Sequence, residues 1–309
     1  MSTAMQGLIL TLTTGLIWGG VGIVFSRVVK RKMDFYSFML LSSGLILIFS
    51  MAIIPDYRAI MSGDAGSGFP GLLVVMLAVA ATSNIGFLKM RGAMQCGHHG
   101  FAWAIAQSAM VLPFIFALLF WHEKAEISRI AGVIMILASF VFLSLKELRN
   151  TGKKADMKSD GINGKGSKWI LFSISAFLLI GLSQIFSILP SHWDNWSDKG
   201  ALRVPLLCGG TFIFWAAYIF LKGGRIEFKG TYLYSFIYAF LVLGGQIFLY
   251  KSLDVMAAAK ISSLVYPLAI GICITMVVAY SALKLKEEFG ISGIAGILMS
   301  LLGIILVSV

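Results

Sequence analysis

The chain has 309 residues, 58% of them hydrophobic and only 13% charged, with a formal net charge of +11. A soluble globule of that composition would lack the polar surface to cover its own core, so a water-soluble protein is excluded and a membrane protein is expected. In a soluble chain the positive charge would suggest nucleic acid; here it lies between apolar runs, and no nucleic-acid partner is expected.

Uncharged runs of the ~20 residues that a bilayer-spanning helix needs recur ten times, at 5–25, 34–54, 70–88, 100–121, 127–145, 168–189, 201–221, 231–250, 261–283 and 289–308. They are too long and too uniformly apolar for the alternating strands of an outer-membrane barrel. A helix satisfies its own backbone in lipid, so the expected fold class is all-α with ten transmembrane helices. The first run has no basic residue before it and no small-residue cleavage site after it, and it continues into SRVVKRK. It reads as a retained helix and not as a signal peptide. Loops after odd-numbered spans hold 18 of the 25 Lys and Arg residues. Basic residues stay on the cytoplasmic side, which places these loops in the cytoplasm and both termini outside.

Residues 148–168, LRNTGKKADMKSDGINGKGSK, are the one hydrophilic break and read as a solvated linker. Their Gly-Lys lacks the preceding glycine and the strand–helix setting of a phosphate-binding loop. The three cysteines, Cys96, Cys208 and Cys273, are odd in number and scattered, so they imply packing residues and no disulfide framework.

An internal repeat explains where the linker falls. Residues 127–144, ISRIAGVIMILASFVFLS, match 291–308, ISGIAGILMSLLGIILVS, at 8 of 18 positions, and a glutamate precedes both at the same distance, Glu123 and Glu287. The chain then divides into a five-helix unit at 5–147, a cytoplasmic linker at 148–167 and a second five-helix unit at 168–309. Five is odd, so the second unit enters the membrane from the opposite side. Inverted repeats of this kind build many secondary transporters, whose solute sits near the midplane between the halves.

The paired stretches ALLFWHEKAEISRIAGVIMILASFVFL and SALKLKEEFGISGIAGILMSLLGIILV resemble the repeated signature of the drug/metabolite transporter superfamily, EamA-like, and the resemblance extends over nearly the whole chain. Within it, FSRVVKRKMDFYSFMLLSSG, NIGFLKMRGAMQCGHHGFAWAIAQ and SAFLLIGLSQIFSILPSHW look most like the branch containing the L-rhamnose–proton symporter and related sugar-uptake proteins. The resemblance implies the fold, transport activity and a sugar-like solute. It assigns no functional residue.

The middles of the ten spans contain no Asp, Glu, Lys or Arg. Ionisable groups in lipid are costly and normally functional, so their absence argues against organic-cation or phosphate substrates. Neutral polar residues remain. Asn84, Gln107, Gln184 and Gln246 carry more polarity than a helix satisfies internally, and either line a cavity or bond between helices. Ser263 and Tyr266 add hydroxyls. Trp18 and Trp103 are aromatic candidates for stacking on a sugar ring, with packing as the alternative. Gly15 and Gly19 in GLIWG permit close helix contact.

QCGHHG at 95–100 concentrates His98 and His99 in a turn. A zinc site would need about four ligands at matching geometry, and the turn supplies no acid and no second cysteine. The pair reads as a polar turn or, if transport is proton-linked, as the titrating element. Glu123 and Glu287 read as helix-end or gate residues. No cluster suits a membrane enzyme, and no cofactor or metal is expected. The sequence therefore points to a secondary transporter of a small neutral polar solute, sugar favoured, acting as monomer or homodimer in the bilayer of a bacterial cytoplasmic membrane. An amino-acid or metabolite exporter or exchanger of the same superfamily is the alternative.

Overall fold

The computed structural model describes residues 3–53, 69–97, 99–121, 126–136, 138–139, 142, 163–193, 200–223, 226–286 and 290–308. Glu123, Glu287, His98, the Ser263 side chain and most of the 148–167 linker lie outside the described residues. The helices are α1 Thr3–Lys30, α2 Phe35–Ile53, α3 Phe69–Cys96, α4 His99–Phe120, α5 Ile127–Ile136, α6 Asn163–Ile188, α7 Gly200–Lys222, α8 Tyr232–Ala258, α9 Val265–Lys284 and α10 Ile291–Ser308. Eight of them are long and apolar enough to cross a membrane; α5 and α10 are shorter apolar helices over the residues searched. Among the described residues there is no strand.

The chain is a multi-pass membrane protein, and its outer surface shows why. Leu16, Ile48, Val74, Leu119, Leu171 and Phe220 are all exposed. Water would oppose such a surface, whereas lipid is its natural solvent. Hydroxyls within the helices bond back to their own backbone, as Thr11, Thr13 and Thr14 do to the carbonyls of Gly7, Ile9 and Leu10, each at 2.8 Å. These three hydroxyls are thereby satisfied within their own helix.

Several helices outrun their apolar spans, as α1 does through Arg27 to Lys30. α3 continues through Lys89 and Arg91 to Cys96, and α8 through Lys251 and Asp254 to Ala258. Hydropathy marks lipid depth, but Lys and Arg are good helix formers and do not stop a helix. α4 carries a 3₁₀ turn at Ser108–Met110. Pro113 has no N–H for the carbonyl of Ala109, so the hydrogen-bond ladder cannot run unbroken there.

α1 packs along α8 and α9, α3 along α6 and α7, α2 against α7 and α8, and α4 against α6 and α9. Glycines set the closest crossings. A Cβ on Gly15 of α1 would stand 2.5 Å from the carbonyl oxygen of Ala269 in α9, so only hydrogen fits there. α10 and α5 meet as closely: a Cβ on Gly303 would lie 2.7 Å from the Gly132 carbonyl. The remaining eight helices surround a central cavity.

Candidate functional site

The cavity has a volume of about 150 Å³ and is lined by residues from α1, α2, α3, α4, α6, α7, α8 and α9. Seven of the residues singled out from the sequence lie around it: Trp18, Asn84, Trp103, Gln107, Gln184, Gln246 and Tyr266. They come from six helices and are far apart in the chain. No Asp, Glu, Lys, Arg or His is among the lining residues.

Glycines make room for the aromatic walls. A Cβ on Gly245 of α8 would stand 2.8 Å from the Trp18 indole, and one on Gly22 of α1 would stand 2.6 Å from that of Trp103. Trp18 lies over Tyr266 with ring centroids 6.4 Å apart and an interplanar angle of 26°. This stack joins α1 to α9 and gives the cavity a flat apolar side.

The polar residues divide by what they already bond. Asn84, 1% exposed, is saturated. Its Nδ2 donates to the Ala80 carbonyl at 2.6 Å and reaches Thr211 Oγ1 at 3.3 Å, while Oδ1 accepts from Trp215 Nε1 at 2.7 Å. It is a clasp between α3 and α7. Gln184 and Trp103 differ. Gln184 Oε1 and Trp103 Nε1 are buried without a hydrogen-bond partner, in side chains 6% and 2% exposed overall. A buried polar atom left unpaired is costly, and both of these belong to residues lining the cavity. Ser42, Ser43, Ser83 and Ser183 donate to carbonyls of their own helices, which leaves their oxygens able to accept from a solute.

The Asn84 clasp makes a stability prediction. Trp215→Phe removes the indole donor and strands Asn84 Oδ1, which costs about 1–3 kcal/mol. Thermal unfolding in detergent should show a lower midpoint. A midpoint equal to that of the parent would show that the bond is unimportant.

His99 lies elsewhere. It borders a separate cleft of about 490 Å³ with Lys30, Lys32, Arg91 and Gln95, and no residue lines both spaces. The Arg91 guanidinium sits 4.7 Å from the Phe35 ring centre and 4.9 Å from that of Tyr36. Lys260, just past the end of α8, is exposed and in a left-handed conformation at φ 57°. His192 stacks on Trp121, centroids 3.6 Å apart, and its Nε2 is 3.2 Å from Ser262 Oγ. Among the described residues no group of three or more His, Cys, Asp or Glu gathers.

Sequence reasoning missed one constellation, the ion pair of Arg203 on α7 with Asp254 on α8. Arg203 is three residues inside its apolar span, away from the middle, and Asp254 lies beyond the end of its own. A signal did exist in the helical period: Arg203 is four residues from Leu207, which lines the cavity.

Residues 5–145 match the model of the EamA-like transporter family. No curated protein matches the chain. Among 18 matching solved chains, one described as "Crystal structure of protein" superposes with a TM-score of 0.62 at 12% identity, covering 97% of this chain and 95% of its own. That likeness concerns the fold alone.

Proposed function

We propose, from the EamA-like domain at residues 5–145, that this chain is a secondary transporter carrying a small neutral polar solute, sugar favoured, across a bacterial cytoplasmic membrane. The observation that carries the solute class is the unpaired Gln184 acceptor and Trp103 donor beside one uncharged cavity. A hydroxylated solute supplies both partners at once, since each hydroxyl donates and accepts. Its apolar ring face suits the Trp18–Tyr266 side of the cavity.

Alternating access follows from treating 5–147 and 168–309 as inverted repeats. The helix packing supports this reading, because exchanging each helix for its counterpart five places on reproduces the main contacts between the two sets, although α7 packs on α8 with no equal contact between α2 and α3. α1 packs on α8 as α6 packs on α3, α1 on α9 as α6 on α4, and α3 on α7 as α8 on α2. The cavity lies where the two sets meet, and rocking of one against the other exposes it to each side in turn. Under the basic-residue count, a reporter fused after Val309 should be active outside the cytoplasm and one placed in the 148–167 linker inside. The reverse pattern would overturn the orientation.

The alternative, an exporter or exchanger of zwitterionic amino acids, draws on the opposite charges of Arg203 and Asp254 beside the cavity. Counterflow into proteoliposomes preloaded with a panel of neutral sugars and amino acids, with and without a proton gradient, separates the two. Exchange of sugars only supports the main reading, exchange of amino acids only supports the alternative, and exchange of neither removes both.

A further inference from the structure

Two charged groups that line no part of the cavity, Arg203 and Asp254, meet just past one of its ends. Ser187 and Leu207 line the cavity, and so does Leu249, the neighbour of Tyr250. Ser191, Arg203 and Asp254 stand four residues beyond Ser187, Leu207 and Tyr250 respectively. Four residues on a helix are about 6 Å of rise. Because α6, α7 and α8 alternate in direction, all three steps lead to the same end, opposite the basic 222–230 loop. Three independent segments therefore place one cluster one turn past the cavity.

The cluster is closed except at Arg203 Nε, which is buried without a hydrogen-bond partner. The Arg203 side chain is 1% exposed; its Nη2 pairs with Asp254 Oδ1, and its Nη1 donates to Ser191 Oγ at 2.8 Å. Ser191 Oγ donates in turn to the same Asp254 oxygen at 2.9 Å. The guanidinium carbon lies 5.0 Å over the Tyr250 ring. Of the pair, only the Asp254 side chain, 15% exposed, opens toward solvent. Among the described residues, the other titratable groups near it include Tyr250 on its own helix, Tyr266 on α9, His192 on the α6 turn, turned to Trp121 and Ser262, and exposed Lys260 beyond the end of α8.

A buried ion pair is a weak source of stability, because both charges lose their hydration, and in a membrane such groups are normally kept for function. This pair also ties α7, α8 and the turn after α6 together. That end of the protein cannot widen without separating the charges. Once separated, the largely buried Asp254 carboxylate loses the Arg203 charge, and a cation taken up there compensates for it. We infer that Asp254 is a cation site that alternates between the Arg203 guanidinium and one coupling cation, H⁺ or Na⁺, so that taking up the cation releases the outer end of the cavity. The inference rests on the transporter reading. With H⁺, an O–H bond forms on an Asp254 oxygen with a proton from water and breaks when Arg203 returns. With Na⁺, the carboxylate and Ser191 Oγ coordinate the ion. Coupling then sits above the cavity and away from His99.

Native Cys208 lines the cavity next to Leu207 and is buried, so it reports whether this end is open. In protein carrying Cys96→Ser and Cys273→Ser, it is the only thiol. Its rate of labelling by a water-soluble, membrane-impermeant thiol reagent in vesicles, normalised to free cysteine in the same buffer, is measured against pH at fixed Na⁺ and against Na⁺ at fixed pH. One of the two cations should raise the rate about tenfold, a shift of that size in the open population. Asp254→Asn should label fast without either cation. The charge exchange Arg203→Asp with Asp254→Arg should restore slow labelling, which also shows that the fold tolerates changes here. A parent rate that ignores both cations, or an Asp254→Asn protein that keeps the parent's cation dependence, overturns the inference. No solute enters the assay, so failure to find a transported sugar or amino acid would count against the transport reading and leave this result standing.

Discussion

Gly15→Leu should leave little or no folded protein in a detergent extract. At this position the Cβ of any larger residue would stand 2.5 Å from the Ala269 carbonyl oxygen, 3.0 Å from Ile272 Cβ and 3.1 Å from Ala269 Cα. Two of those three atoms are backbone, which cannot rotate away as a side chain can. α1 and α9 would have to separate, and with them the Trp18–Tyr266 stack that walls the cavity. Overpacking a close-packed contact costs about 1–3 kcal/mol, and a rigid backbone neighbour puts this substitution at the upper end or beyond. Gly244→Ala is the matched control, because its Cβ would meet only Ile17 Cδ1, at an ordinary 3.8 Å. Size-exclusion profiles of the two variants provide the measurement. Equal monodisperse yields would show that the α1–α9 crossing is looser than described.

The second large effect concerns Gln184 and Trp103 and separates binding from structure. Gln184→Leu keeps the approximate bulk of the side chain but deletes the unpaired buried acceptor. Trp103→Phe likewise removes the unpaired donor. Gln184→Leu removes an acceptor with nothing to bond, so thermal stability should hold or rise, whereas Trp103→Phe also gives up buried ring packing against Phe25 and should lower the midpoint slightly. For the solute, each change removes a buried hydrogen bond, a loss of about 1.5–3 kcal/mol, or roughly 10- to 150-fold in apparent affinity. Counterflow titrations and melting curves on the same preparations read both quantities. A residue that only held helices together would lose stability and spare affinity, and that result would remove the pair from the binding site.

These two predictions also divide what was legible. That the chain lies in a bilayer, where its apolar helices run, and which of them carry neutral polar residues could all be read along the chain. Each depends on sums over ~20 neighbouring residues, and lipid imposes the helix on any such run. Gly15 and Gly19 were readable as close-contact positions for the same local reason. What each polar side chain does was not readable. Asn84 and Gln184 look alike in sequence, yet Asn84 is saturated by Thr211 and Trp215 on α7 while Gln184 has an open acceptor. Arg203 and Asp254 sit near the edges of separate apolar runs and become a buried pair only when α7 and α8 pack side by side. His99 looked like a neighbour of the pathway, but the start of α4 places it in a different cleft. By itself the sequence determined that this chain is helical, membrane-bound and polar at chosen depths, because hydropathy and backbone satisfaction are local. The tertiary structure alone decided which polar atoms are left open and which charges meet, because a hydrogen-bond partner is a matter of distance in space, and in this chain the partner sits 51 residues away for Arg203 and 131 for Asn84.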